Sequence, residues 1–127
     1  MTRCPFCTLT ESRIRVQAEL AVAVDDAYPV SPGHTLVVPR RHVGSYFQLD
    51  EAERLALSRM MDTVQRDLAA RMKPDAYTIG INDGPAAGQS IPHVHIHLIP
   101  RYRGDRDNPR GGVRWVLPEK ADYWTPR

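Results

Sequence analysis

The amino-acid sequence predicts an α+β domain built on a largely antiparallel sheet. Three observations carry that reading: several short runs rich in β-branched residues, one long stretch of helical period, and no regular β-α-β alternation. At 127 residues the chain is expected to form a single domain over 1-127, long enough to bury roughly two-thirds of the surface its unfolded form exposes. A net charge of +2 is too small to predict non-specific nucleic-acid binding, so a function must be read from a site. No apolar run approaches the ~18 residues of a membrane span, and the start "MTRCPFCTLT" lacks the apolar core of a signal peptide. No membrane association and a cytoplasmic location are therefore expected.

Taken in order, residues 12-25, "SRIRVQAELAVAVD", hold two short apolar patches consistent with a strand pair. "YPVSPG" turns the chain into "HTLVVP", a β-branched strand stopped by Pro39. At Asp50 the period changes. Asp50 with Glu53 has the form of an N-terminal capping box, and Leu55, Met60 or Met61, Val64, Leu68 and Met72 recur at helical spacing until Lys73-Pro74. "AYTIGIND" reads as a strand, "GPAAGQS" as a loop, and "HVHIHLIP" as the last of about five strands. Residues 102-127 are rich in Arg, Gly and Pro, with too little apolar periodicity for a core of their own. An extended arm over the body or over another subunit competes there with a frayed terminus. Trp115, Tyr123 and Trp124 in that basic tail could stack on bases, but the small net charge argues against a nucleic-acid partner.

Three of the five histidines fall at alternate positions of the last strand. Alternation places His93, His95 and His97 on one accessible face, with Val94, Ile96 and Leu98 turned to the core. Positions i and i+4 of a strand stand about 13 Å apart, too far for one metal ion to be held by all three. Nucleophilic and acid-base chemistry, each imidazole with its own task, is the better use. A catalytic metal is the competing chemistry, and binding without turnover a third reading. The loop "NDGPAAGQS" adds backbone N-H groups and the side chains of Asn82, Gln89 and Ser90, which suit an anion such as phosphate. The pair in "CPFC" reads as half of a zinc site, a redox pair, or two small buried residues.

"HVHIHLI" follows the pattern His-φ-His-φ-His-φ-φ, and "NDGPAAGQSIPHVHIHLIPR" closely resembles the matching segment of the histidine-triad (HIT) superfamily. The likeness is to its dinucleoside polyphosphate hydrolase branch and to zinc-containing bacterial members, and it runs from "CPFC" through "PGHTLVVPRRH" to the histidines. The resemblance implies an antiparallel sheet of about five strands with one long helix, a shorter helical segment and a C-terminal arm. It also implies a homodimer, and a nucleotide hydrolase acting at the α-phosphate of a dinucleoside polyphosphate or nucleoside phosphoramidate. In that chemistry His95 matches the nucleophile that forms a nucleotidyl-histidine, and a nucleoside monophosphate, AMP by resemblance, is released. His97 matches the histidine that contacts phosphate and assists proton transfer, and His34 the fourth histidine of the site. Asn82, Gln89 and Ser90 fall on phosphate-contacting positions, and Asp26 where the ribose hydroxyls are bound. Some members hold structural zinc, which carries over to Cys4, Cys7, His42 and His93, with residues 1-10 as a zinc knuckle. A nucleotidyltransferase or phosphorylase, or a non-catalytic nucleotide-binding protein, is the alternative; His97, at a position usually glutamine in the transferase branches, favours hydrolysis.

Overall fold

The computed structural model describes residues 4-127; the first three residues of the expected knuckle lie outside the described residues. Five strands form one sheet: β1 (Ile14–Gln17), β2 (Ala21–Asp25), β3 (Thr35–Pro39), β4 (Ala76–Ile81) and β5 (Ile96–Arg101). They lie in the order β1-β2-β3-β5-β4, and every neighbouring pair is antiparallel. The connection from β3 to β4 carries the long helix α1 (Glu51–Arg71), and a short helix α2 (Pro118–Ala121) lies in the C-terminal arm.

Strand alternation gives the sheet two different faces. Ala21, Ala23, Val37, Ile96 and Leu98 meet Leu57, Met60, Val64 and Leu68 of α1 in the main core. Val22, Val24, Leu36 and Val38 point the other way, where Phe6 covers them. The helix begins as its sequence specifies: Asp50 accepts the Glu53 N–H at 2.8 Å, and Glu53 accepts the Asp50 N–H at 3.0 Å. Its buried stripe is Glu53, Leu57, Met60, Val64 and Leu68. Leu55 and Met72, expected in the stripe, are exposed. Glu53 occupies the position the period assigns to an apolar side chain because Arg41 pairs with its carboxylate at 2.8 and 2.9 Å. The turn before β3 passes so close to α1 that a Cβ on Gly33 would stand 2.9 Å from Leu68. With φ at +90° as well, that position accepts only glycine cheaply.

The last strand departs from expectation. β5 begins at Ile96, so only His97 of the three histidines lies in the ladder, while His93 and His95 precede it in irregular backbone. They are also buried rather than accessible, at 0% and 7% exposure. The Val94 N–H donates to the Val43 carbonyl, and the His93 N–H turns back to Ile91, so this segment is tied to the chain after β3 rather than to β4. The arm is likewise folded rather than extended. Arg114 donates to the Ala121 and Lys120 carbonyls, and Trp115 Nε1–H donates to the Arg110 carbonyl, closing residues 110-121 around the buried Ala121.

Candidate active site

The sheet face away from α1 assembles the site. In the β3–β5 ladder Leu36 stands opposite His97, and the Asp26 N–H extends the β2–β3 ladder by donating to the His34 carbonyl. Asp26, His34 and His97 are thereby carried together from three strand ends. His95 lies one step before His97 on the same face, with ring centroids 5.2 Å apart. On β4 the residue opposite His97 is Gly80, where an added Cβ would meet nothing within 4 Å. The space beside His97 is open.

Main-chain groups fix which nitrogen of each histidine carries hydrogen. His95 Nδ1 lies 2.9 Å from the His93 carbonyl, which can only accept, so Nδ1 is protonated and Nε2 presents a lone pair. His34 Nδ1 accepts the Val30 N–H at 3.1 Å, which leaves its hydrogen on Nε2. That Nε2–H donates to His97 Nδ1 at 3.0 Å, which places the His97 hydrogen on Nε2. Two neighbouring imidazoles thus offer opposite functions, a bare nitrogen on His95 and an N–H donor on His97. Burial pushes the pKa values of His34 and His97 below the ordinary range, with His95 and His34 adding to the effect at His97. Protonating His97 would put two hydrogens into the 3.0 Å gap between the rings, and protonating His34 would set its new Nδ1–H against the Val30 N–H, so this arrangement favours both rings in the neutral form. The Asp26 carboxylate opposes that shift from 3.3 Å (His34 Nε2) and 3.9 Å (His97 Nδ1), while its other oxygen accepts the Tyr28 N–H.

The loop after β4 is built from residues the motif contains, used differently from expectation. Gln89 spends its whole amide inside the protein: its oxygen accepts the Gly84 N–H at 2.7 Å, and its nitrogen donates to the Gly44 and Ile91 carbonyls. It shapes the loop instead of projecting toward an anion. Asn82 is half-buried and Ser90 exposed, on either side of it. Asp83, which spacing does not single out, accepts from Ser45 Oγ and the Tyr46 N–H and ties the loop to the segment before α1. Phe6 was equally invisible in the motif. Its ring packs on His93 and His95 at centroid distances of 5.6 and 5.2 Å.

His93 faces a second cluster. Its Nε2–H donates to the Pro39 carbonyl at 2.8 Å, so Nδ1 carries the lone pair. That Nδ1 lies 3.4 Å from Cys4 Sγ, 3.6 Å from Cys7 Sγ and 3.2 Å from His42 Nδ1, and Cys7 Sγ is 3.2 Å from His42 Nδ1. A tetrahedron with metal-ligand bonds of about 2.0–2.3 Å has edges of about 3.3–3.8 Å, so the donor set and its spacing fit one zinc-sized ion. A carbonyl behind the ligating imidazole is the usual supporting contact of such a site.

Residues 9-104 match the family described as HIT domain. The chain is 34% identical over 103 residues to an uncharacterized 16.1 kDa HIT-like protein of Mycoplasma pneumoniae, covering 78% of this chain and 72% of that one. It is similar to the asymmetrical bis(5'-nucleosyl)-tetraphosphatase of Schizosaccharomyces pombe (37% identity; 74% of this chain, 52% of that one). A bis(5'-adenosyl)-triphosphatase of Saccharomyces cerevisiae is 31% identical (91% of this chain, 54% of that one). The chain therefore spans about half the length of these two enzymes. Among solved structures, a HIT family protein from Bacillus anthracis superposes with a TM-score of 0.69 at 30% identity, covering 72% and 65% of the two chains. A Zn-bound histidine triad family protein from Mycobacterium smegmatis gives 0.68 at 29% identity, covering 73% and 68%.

Proposed function

The chain belongs to the HIT family, and from that premise we propose that it is a nucleotide hydrolase whose His95 attacks an α-phosphate. The observation that carries this reading is the opposed pair of tautomers: a lone pair on His95 Nε2 beside a hydrogen on His97 Nε2. His95 Nε2 forms a P–N bond as the bond from phosphorus to the leaving phosphate breaks, and the leaving oxygen takes the electron pair. His97 Nε2–H donates to that oxygen and stabilises its charge. Water then attacks the same phosphorus, the P–N pair returns to His95, and the water proton passes to solvent. The product is a nucleoside monophosphate. His34 holds His97 in the donating tautomer, and Asp26 balances charge around the pair or meets the ribose hydroxyls. Ser90 and Asn82 are assigned to the phosphate, and Gln89 to the shape of their loop.

The four-residue cluster is assigned to zinc. The bare Nδ1 of His93, the spacing of the donor atoms and the zinc-bound Mycobacterium relative support the assignment. A metal there supplies a structural cross-link between residues 4-7, the end of β3 and the histidine segment, and takes no part in the reaction. The chain is read as one domain and as a homodimer, supported by β4, which among the described residues is an edge strand of the sheet with Ile79 and Ile81 exposed. The hydrolase reading is tested by incubating the protein with diadenosine tetraphosphate, diadenosine triphosphate and an adenosine phosphoramidate, and separating the products by chromatography. AMP from one of them is expected; no AMP from any would overturn it.

A further inference from the structure

We propose that Cys4 and Cys7 form a thiol–disulfide site: a peroxide closes them into a disulfide, the cluster gives up its metal, and the segment that carries His95 loses its support. The redox pair and the zinc half-site that "CPFC" allows are then two states of one turn. Closure of the bond and loss of the metal stand apart from the hydrolase reading above. Only the effect on turnover rests on it.

The backbone already holds the two residues as a disulfide needs them. The Cys7 N–H donates to the Cys4 carbonyl at 3.1 Å, which makes them the ends of one tight turn. Such a turn keeps its end Cα atoms within about 7 Å, and a disulfide spans about 4.4–6.8 Å between them. The two sulfurs face one point, within 4.8 Å of each other and of the ligating nitrogens of His42 and His93. Cys7 is exposed and open to a small oxidant, while Cys4 is half-buried. The chain has two cysteines, so no third thiol competes for either within the molecule.

Hydrogen peroxide suffices as the co-reactant. The Cys7 sulfur attacks one peroxide oxygen, the O–O bond breaks, and Cys7 becomes a sulfenic acid as one water leaves. The Cys4 sulfur then attacks the Cys7 sulfur, the S–O bond breaks, and a second water leaves. Two thiols have given up two electrons and two protons to the peroxide. The disulfide offers neutral sulfurs in place of two thiolates, so the donor set keeps only the nitrogens of His42 and His93, 3.2 Å apart, too few for a tetrahedral site. Phe6 lies between the cysteines, buried, with its ring on His93 and His95. Drawing the sulfurs into a bond reshapes that turn beneath Phe6 and releases His93, whose carbonyl holds the His95 Nδ1–H.

The test treats zinc-loaded protein with a small excess of hydrogen peroxide and stops the reaction with catalase. Peptide mapping should then find Cys4 joined to Cys7, with a mass about 2 Da below that of the two thiols. A chromogenic chelator should register about one zinc released per chain. AMP formation should fall about tenfold or more while the circular-dichroism signal of the fold persists at the assay temperature. Dithiothreitol with added zinc should restore turnover, which separates the disulfide from methionine oxidation, since dithiothreitol does not reverse the latter. Sulfurs that do not react, sulfurs that gain oxygen without closing, a disulfide between two chains, or closure with the zinc retained would each overturn the inference. So would turnover unchanged after closure, or lost together with the fold. All of these leave the hydrolase reading standing. Absence of AMP before any treatment would remove that reading, and the mapping and zinc measurements would still decide the site.

Discussion

The carbonyl oxygen of His93 accepts the Nδ1 hydrogen of His95 at 2.9 Å. One residue of the Cys/His cluster therefore sets the tautomer of His95, the proposed nucleophile, next to it. The ring of Phe6, carried between Cys4 and Cys7, packs on both imidazoles and adds a second link. His93 of the Cys/His cluster and His95 are two ends of one short, buried segment.

Cys4→Ser is accordingly expected to lower bound zinc per chain and thermal stability together, by about 2 kcal/mol or more. Turnover should fall with them, since His95 loses its support. Elemental analysis and a melting curve on the same sample decide it; an unchanged zinc content would remove Cys4 from the cluster.

His97→Ala should lower kcat about 10²–10³-fold, the usual cost of losing one donor to developing charge. The loss should shrink for an AMP ester with a more acidic leaving group, because such a group needs less stabilisation. A leaving-group-independent loss would mean that His97 acts on binding alone.

Burial holds His34 and His97 below their ordinary pKa of about 6.5, so each stays neutral in the folded protein at pH values where it is protonated in the unfolded chain. The folded state then binds fewer protons, and these two groups favour unfolding increasingly as pH falls below about 6.5. The contribution of these two rings to the acid limb of kcat/KM should lie below pH 6.5. Asp26 raises both values, so Asp26→Asn should move that limb to still lower pH. A shift toward higher pH would contradict the electrostatic assignment.

How much of this was legible in the sequence depends on where the information sits. The start of α1 was written in Asp50 and Glu53, whose side chains bond to neighbours three residues away. Glu53 was harder to place as a buried residue, because its partner Arg41 lies outside the helix and converts a polar position into part of the buried stripe. The strand pattern of "HVHIHLIP" suggested an accessible histidine face. The Val43 carbonyl and the Cys/His cluster, brought there by distant segments, bend the first half out of the sheet and bury it. Gln89 was expected at the anion for the same reason: its three bonds go to main-chain groups that spacing cannot reveal.

The Arg41 pair gives a further test. Hydrogen bonds from Arg41, then from the Asp50 backbone, hold the Glu53 carboxyl at about 2, below its ordinary 4.5. Its stabilising effect is full above pH 4.5 and is lost as pH falls through about 2. Glu53→Gln should therefore melt several degrees below wild type at pH 7, with the gap closing toward pH 2. A gap that does not change with pH would mean that the ionised carboxylate is not what stabilises this corner.

The most direct test of the central claim is intact mass spectrometry of protein mixed with diadenosine tetraphosphate and quenched in mild alkali. Wild type should show a transient gain of one nucleoside monophosphate, mapped to His95 and absent from His95→Ala, which should still bind nucleotide. Turnover near the wild-type rate in His95→Ala, or an adduct that maps to another residue, would contradict the assignment of His95 as the nucleophile.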